Sequence, residues 1–354
     1  MKLRTIVFCG HKSPYGLAHL APILESELEV IAVVIATDKR WQHFWDSLGG
    51  KVYYQTDSQQ HPWNTVKTFI KRKTPRFLLK FLRKSLPEIE IVQELAHRHR
   101  VPVWQVSDTN EPNFLQQLRA SCPDLILSAA YPQIFAKDFI TIPTKGSVNF
   151  HPSLLPKYRG AHPHFWAIVK GEKVSGVTAH FMTENLDDGD IIAQLKISIE
   201  SCTYPEFYQQ LIQETPNLVK LVEHFFQTQN SVTIPQNSSE ASFFRNDREI
   251  HRRIFWQIQT TEEIHNLCRT EQAFCFYGNK KIYCLRTISE SINRNLTNNI
   301  SVPPGTIIDI DRNSLVVKTI DACLHIEAIE ENRRLFSAYQ WVKRHQIYIG
   351  QQLN

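Results

Sequence analysis

Through the first two-thirds of the chain, short apolar runs alternate with amphipathic stretches. Residues 4–10 read Arg-Thr-Ile-Val-Phe-Cys-Gly, and residues 30–36 form an unbroken Val/Ile/Ala run. Continuous apolar runs of this length predict strands covered on both faces, the condition of a parallel sheet. Between them Ser13-Pro14 opens a helix with proline in its first turn, and Leu17, Leu20, Ile23 and Leu24 give it a helical stripe. After an interruption the alternation returns: helix over 88–99, strand over 101–106, helix over 111–121, strand over 124–130 and helix over 161–170. Strands over 177–182 and 190–199 and a long amphipathic helix over 204–227 complete the series. This order predicts an α/β fold with a doubly wound, mostly parallel sheet. Gly10-His-Lys-Ser-Pro-Tyr-Gly16 lacks the Gly-x-Gly-x-x-Gly spacing, so no dinucleotide fingerprint is expected.

Beyond residue 228 the pattern changes. Residues 229–242 are polar, rich in Asn, Gln, Ser and Thr, and read as a linker. Residues 254–267 read as helical. Short alternating runs follow at 274–277, 281–286, 305–310, 314–318 and 323–328, the pattern of a small β-barrel or sandwich. The expected domains are therefore 1–228, carrying an insert over about 38–87, and 243–354, a smaller barrel-like domain.

A length of 354 residues suits two domains. At 42% hydrophobic and 21% charged residues the composition is that of a soluble globular protein. The apolar run at Ile6 to Cys9 is too short for a signal peptide, and no later run approaches membrane-spanning length. The seven cysteines are scattered, with no Cys-x-x-Cys pair, so neither a zinc site nor a disulfide framework is expected. A reducing cytoplasm suits them. The net charge of +5 is local: residues 67–84 carry eight Lys/Arg and no acid, which exceeds the whole excess.

Candidate chemistry centres on residues 146–160, Gly-Ser-Val-Asn-Phe-His-Pro-Ser-Leu-Leu-Pro-Lys-Tyr-Arg-Gly. Alternation of apolar Val148 and Phe150 with polar Asn149 and His151 predicts a strand with both polar groups on one face, ended by Pro152. In open α/β sheets the carboxyl ends of strands are where ligands bind. Glu184-Asn-Leu-Asp-Asp-Gly-Asp190 lies between two expected strands, and Gly189 permits a tight turn carrying Asp187 and Asp188. A carboxylate beside an imidazole orients it and raises its pKa. Asn149, His151 and Asp187 together suit acyl transfer through a tetrahedral oxyanion, with donors where charge develops and a base for an incoming amine. Ser153 has no base dedicated to it, so direct transfer is expected rather than a covalent intermediate. His162 and His164 form a His-x-His pair without further ligands at suitable spacing, and no metal site is expected. His180 alternates with apolar residues in its strand, and a structural role is expected for it.

Asn149-x-His151-Pro-Ser-Leu-Leu-Pro-x-Tyr-Arg-Gly160, Gly176-Val-Thr-x-His180 and Leu186-Asp187-x-Gly189-Asp-Ile-Ile strongly resemble the folate-dependent formyltransferases, over nearly the whole chain. That family includes methionyl-tRNA formyltransferase, amino-sugar N-formyltransferases, glycinamide ribonucleotide transformylase and formyltetrahydrofolate hydrolase. The resemblance implies N10-formyltetrahydrofolate as co-substrate, a primary amine as acceptor and an OB-like C-terminal domain. By the same resemblance Asn149 and His151 stabilise the oxyanion, and Asp187 keeps His151 charged and helps remove the amine proton. The pterin is held largely through backbone by Leu127, Ala129, Ala130, Tyr131 and Ile134, by Ser153, Leu154, Leu155 and Pro156, and by Glu184 and Gly189.

Two departures bear on the acceptor. Arg159-Gly160 is followed by Ala-His-Pro-His-Phe-Trp166, where the transfer-RNA enzyme typically has Ala-Ala-Pro-Ile. The insert over 38–87 replaces that enzyme's basic loop. Its basic segment reads as an RNA-contacting arm, as a membrane-surface helix, or as a helical excursion with solvated charge outside. The acceptor is thus the amine of initiator methionyl-tRNA or of a nucleotide-linked amino sugar. Transfer to water, and a non-catalytic RNA-binding relative, are the other readings. His162, His164 and Trp166 either line an acceptor pocket or pack a helix.

Overall fold

The structure, a computed structural model, describes residues 2–10, 13–37, 92–290 and 302–354. The insert at 38–87, with its basic segment, and the Asn-rich loop at 293–299 lie outside the described residues.

The N-terminal half is built on strands β1 (Arg4–Cys9), β2 (Glu29–Ala36), β3 (Val103–Val106), β4 (Leu125–Ala129), β5 (Ser147–His151), β7 (Val174–Phe181) and β8 (Ile191–Ser198). A two-residue strand, β6 (Arg159–Gly160), sits apart. The sheet order is β3-β2-β1-β4-β5-β7-β8. The first five run parallel, β7 lies antiparallel to β5, and β8 is antiparallel to β7. The mostly parallel, doubly wound sheet is as expected. The reason is visible in β1. Val7 and Cys9 enter one core, while Ile6 and Phe8 enter the other, so a strand without polar alternation is buried twice. On the first face lie helices α1 (Pro14–Leu24), α5 (Pro163–Val169) and α6 (Tyr204–Gln227). On the second lie α3 (Pro112–Ala120) and the short α4 (Lys137–Ile140). Helix α2 (Val92–Arg98) joins the first core through Val92, Leu95 and Ala96.

The C-terminal part is one six-stranded antiparallel sheet, a half-barrel where the short alternating runs led to the expectation of a small β-barrel or sandwich. Its core includes Trp256 and Trp341, both fully buried, and takes in Phe165 from α5 of the N-terminal half. Two details differ from expectation. Residues 254–260 are not α-helical; the helix begins at Thr261, because Thr260 and Glu263 close a capping box. A helix at Ala338–His345 was not expected, and Ser337 with Gln340 caps it in the same way.

Candidate active site

Strand β5 lies between β4 and β7, with Ser128 and His180 as the register partners of Asn149. Val148 and Phe150 fill the first core, which turns Asn149 and His151 to the opposite face. The chain then leaves the sheet at Pro152 and crosses a cis Leu155–Pro156 bond. It returns as Arg159–Gly160, paired in parallel with β9 (Phe243–Phe244). The turn after β7 brings Asp187 over the end of β5.

Three of the expected residues converge. The Asp187 carboxylate lies 3.6 Å from His151 Nδ1 and 3.5 Å from Asn149 Nδ2, and it accepts the Gly160 N–H at 2.9 Å. His151 and Asp187 are both at least nine-tenths buried. His151 Nε2 donates to the Tyr158 carbonyl at 2.8 Å; a carbonyl only accepts, so that nitrogen carries the proton and Nδ1 faces the carboxylate. Burial pulls the imidazole pKa below 6.5, and the Asp187 charge and the Tyr158 carbonyl oppose this without overcoming it. Burial pushes the Asp187 carboxyl up, but the two imidazoles and the Gly160 amide outweigh it and hold it well below the usual carboxylate range.

A fourth group adjoins these three, one for which a structural role was expected. His180 Nε2 is 3.5 Å from Asp187 Oδ1 and 3.4 Å from Asn149 Nδ2, and its Nδ1 donates to the Phe181 carbonyl at 2.8 Å. Both contacts of Asn149 Nδ2 are at the long limit of a hydrogen bond, which leaves its N–H free to turn toward a stronger acceptor. A fifth is Gln236, in the stretch expected as a linker. It donates to the carbonyls of Asp187 and Gly189 at 2.9 and 2.7 Å.

The residues assigned to the pterin fall into two groups. Leu127, Ala129, Ser153 and Leu155 have buried side chains and can offer only backbone to a ligand. Ala130 turns the chain out of β4 at a φ of +52°, and Ile134, 74% exposed, forms one lip. Leu154 and Pro156 are half-buried. The facing lip is the 182–190 turn, with exposed Leu186. Glu184, on that turn, forms an ion pair with Lys137 on the other. Gly189 is required there, since a Cβ would stand 2.0 Å from the Phe181 carbonyl oxygen. Exposed apolar side chains on facing loops at a strand end fit a flat heterocycle. The Tyr131 hydroxyl is buried without a partner beside this rim.

His162, His164 and Trp166 are engaged in the protein. His162 pairs with the buried Asp247, which also holds Arg252. His164 Nε2 meets the Tyr204 hydroxyl at 2.8 Å, and burial lowers its pKa to about 3. Trp166 stacks on Phe244 and donates to the Arg245 carbonyl. Among the described residues no cluster of His, Cys, Asp or Glu could hold a metal ion.

This geometry has relatives. Residues 46–220 match the model of the formyl transferases, and residues 248–346 that of the formyl transferase C-terminal domain. Methionyl-tRNA formyltransferase of Clostridioides difficile is 30% identical over 270 residues, 73% of this chain and 84% of that protein. In fold, the chain is similar to a sugar 3N-formyl transferase solved in the presence of dTDP and 5-N-formyl-THF (TM-score 0.58, 16% identity, 94% of this chain and 100% of the other). It is similar also to HypX from Aquifex aeolicus (TM-score 0.54, 14% identity), matching 99% of this chain but only 49% of that longer one. The strand end that presents Asn149 and His151, the turn that returns Asp187 and the two matched models agree: the chain belongs to the formyl transferase family.

Proposed function

We propose that the chain transfers a formyl group from N10-formyltetrahydrofolate to the primary amine of an aminoacylated transfer RNA, as its methionyl-tRNA formyltransferase relatives are named to do. The observation that carries this reading is the convergence of Asn149, His151, His180 and Asp187 in a closed corner at the end of β5. The amine lone pair forms the new C–N bond, and the carbonyl π pair moves onto oxygen. Asn149 Nδ2 donates to that oxygen. Asp187, ionised at neutral pH, accepts the amine proton and becomes the neutral carboxylic acid. Collapse breaks the bond to N10, which takes up a proton, so charge and atoms balance. The lips around Ile134 and Leu186 hold the pterin, mainly through the backbone of 127–135 and 153–156.

The domain boundaries at 228 and 243, an RNA contact by the basic segment 67–84, and a cytoplasmic location belong to the same proposal. Among the described residues no helix is long and apolar enough to cross a membrane, and the cysteines are free thiols. The test is a screen for formyl transfer with initiator methionyl-tRNA, a panel of nucleotide-linked amino sugars, and water alone. Transfer to methionyl-tRNA is expected. Transfer to sugars only would overturn the acceptor, and release to water alone would make the chain a hydrolase. Replacing Lys71, Arg72 and Lys73 with neutral residues is expected to reduce the salt dependence of transfer-RNA affinity; an unchanged affinity would remove the RNA contact.

A further inference from the structure

Asp187 is a non-glycine residue at a φ of +53°, a conformation an L side chain adopts at a cost of about 1–2 kcal/mol. Something must hold it there. Its side chain is tied to the Gly160 N–H, and its carbonyl to Gln236. The Gln236 amide is used completely. Oε1 accepts from Arg159 Nη2 at 2.7 Å and Nε at 3.1 Å, while Nε2 donates to the Asp187 and Gly189 carbonyls at 2.9 and 2.7 Å. An amide has two acceptor sites and two donors, so its orientation is fixed: a flip would set its N–H groups against a guanidinium. Arg159 is itself 7% exposed and held by its backbone N–H to the Ser242 carbonyl at 2.8 Å. On the other side, Ile234 and Ile191 exchange two backbone bonds just past the turn. Residues 234–244 thus run as a strap that touches both segments carrying the catalytic groups.

We propose that Gln236 is a positioning residue for the formyl transfer reaction: through the backbone of Asp187 and Gly189 it sets the carboxylate against His151, with Arg159 as its anchor. This rests on the reading of the site as a formyl transferase. It further means that the segment leading to the C-terminal domain is part of the catalytic machinery.

The test compares wild-type protein with Gln236→Leu, which removes all four bonds at nearly constant volume. Turnover is expected to fall about 10- to 100-fold, the range seen when the groups orienting a catalytic ligand are lost, with KM for the folate within about threefold. The acid side of the pH–kcat profile is expected to move to higher pH, because a displaced Asp187 loses the partners that hold its carboxyl down. Imidazole NMR gives a readout that needs no turnover: the His151 titration midpoint is expected to fall as the carboxylate withdraws. Gln236→Glu serves if the first variant does not fold. It keeps the acceptor for Arg159 but sets a second oxygen against two carbonyls, so it should reproduce the defect in turnover and titration. Gln236→Asn should recover part of the activity. Lower thermal stability with normal turnover per folded molecule and an unmoved His151 midpoint would overturn the proposal. A wild-type protein that transfers no formyl group would instead refute the function, leaving the NMR comparison to decide the role of Gln236.

Discussion

Replacing Asp187 with Asn probes the centre of the proposed chemistry. Asn keeps the volume, and its oxygen can still accept the Gly160 N–H. What disappears is a buried negative charge 3.6 Å from His151 Nδ1. With an effective dielectric constant of about 20, unit charges at that separation attract by about 4–5 kcal/mol. A charge of that influence is equivalent to about a thousandfold in rate, and Asn, unlike the carboxylate, cannot take up the proton the amine loses. General-base catalysis has the same range, about 10²–10⁴. The expected result is a loss of about 10³ in kcat, read as tetrahydrofolate release under saturating folate and acceptor. Folding stability should also fall, since the Gly160 bond is weakened and the contact with Asn149 Nδ2 becomes donor against donor. The pH dependence of stability should also change. The folded carboxyl lies below its ordinary 3.8, so its contribution is complete above about pH 4 and is lost as pH falls through the depressed value. The Asn variant should lack that acid loss. A variant that retains more than about a tenth of wild-type turnover would refute the role of Asp187 as base.

Gly160→Ala should be damaging out of proportion to one methyl group. Its φ is +96°, and a Cβ would stand 2.2 Å from the Phe244 carbonyl oxygen, so a loss of about 2–4 kcal/mol by chemical denaturation is expected, with turnover falling as the N–H to Asp187 is displaced. Acid should unfold the protein from about neutral pH downward: burial lowers both His19 and His164 from 6.5 to about 3. The unfolded chain binds protons there that the folded one does not, so stability is complete above about 6.5 and falls by about 1.4 kcal/mol per pH unit for each histidine below it. His164→Gln should reduce that slope by one proton, measured as the midpoint of urea unfolding between pH 4 and 7; an unchanged slope would place His164 outside the buried neutral set.

The parts of this molecule legible in the sequence are those governed by local pattern. Uninterrupted β-branched runs announced the parallel strands, and the alternation of residues 148–151 put Asn149 and His151 on one face before any register was known. Other features depend on pairings that local pattern does not encode. His180 sits in an alternating strand like any core residue. It becomes a neighbour of Asp187 only because β7 runs antiparallel beside β5 with His180 opposite Asn149. Gln236 stands in a polar stretch with no periodicity, and its partners at 159, 187 and 189 are far away along the chain. The start of the helix at Thr261 was open to reading: Thr-x-x-Glu is a capping box, and it outweighs the apolar spacing of the residues before it. Ser337 and Gln340 offered the same signature for the last helix. The depth of burial of His151 was beyond reach, because it depends on how the loops after β5 and β7 close over the ring.

The two-residue pairing of Arg159–Gly160 with Phe243–Phe244 also imposes an order in time. A nascent chain can complete the parallel sheet once residue 198 has emerged, since every strand in it lies upstream. It cannot close the catalytic corner then, because the groups that brace Arg159, Ala161 and Trp166 lie at residues 242–245. The loop to be closed spans more than eighty residues, a contact of high sequence separation that forms late. During synthesis the protein therefore has its scaffold before it has its active site.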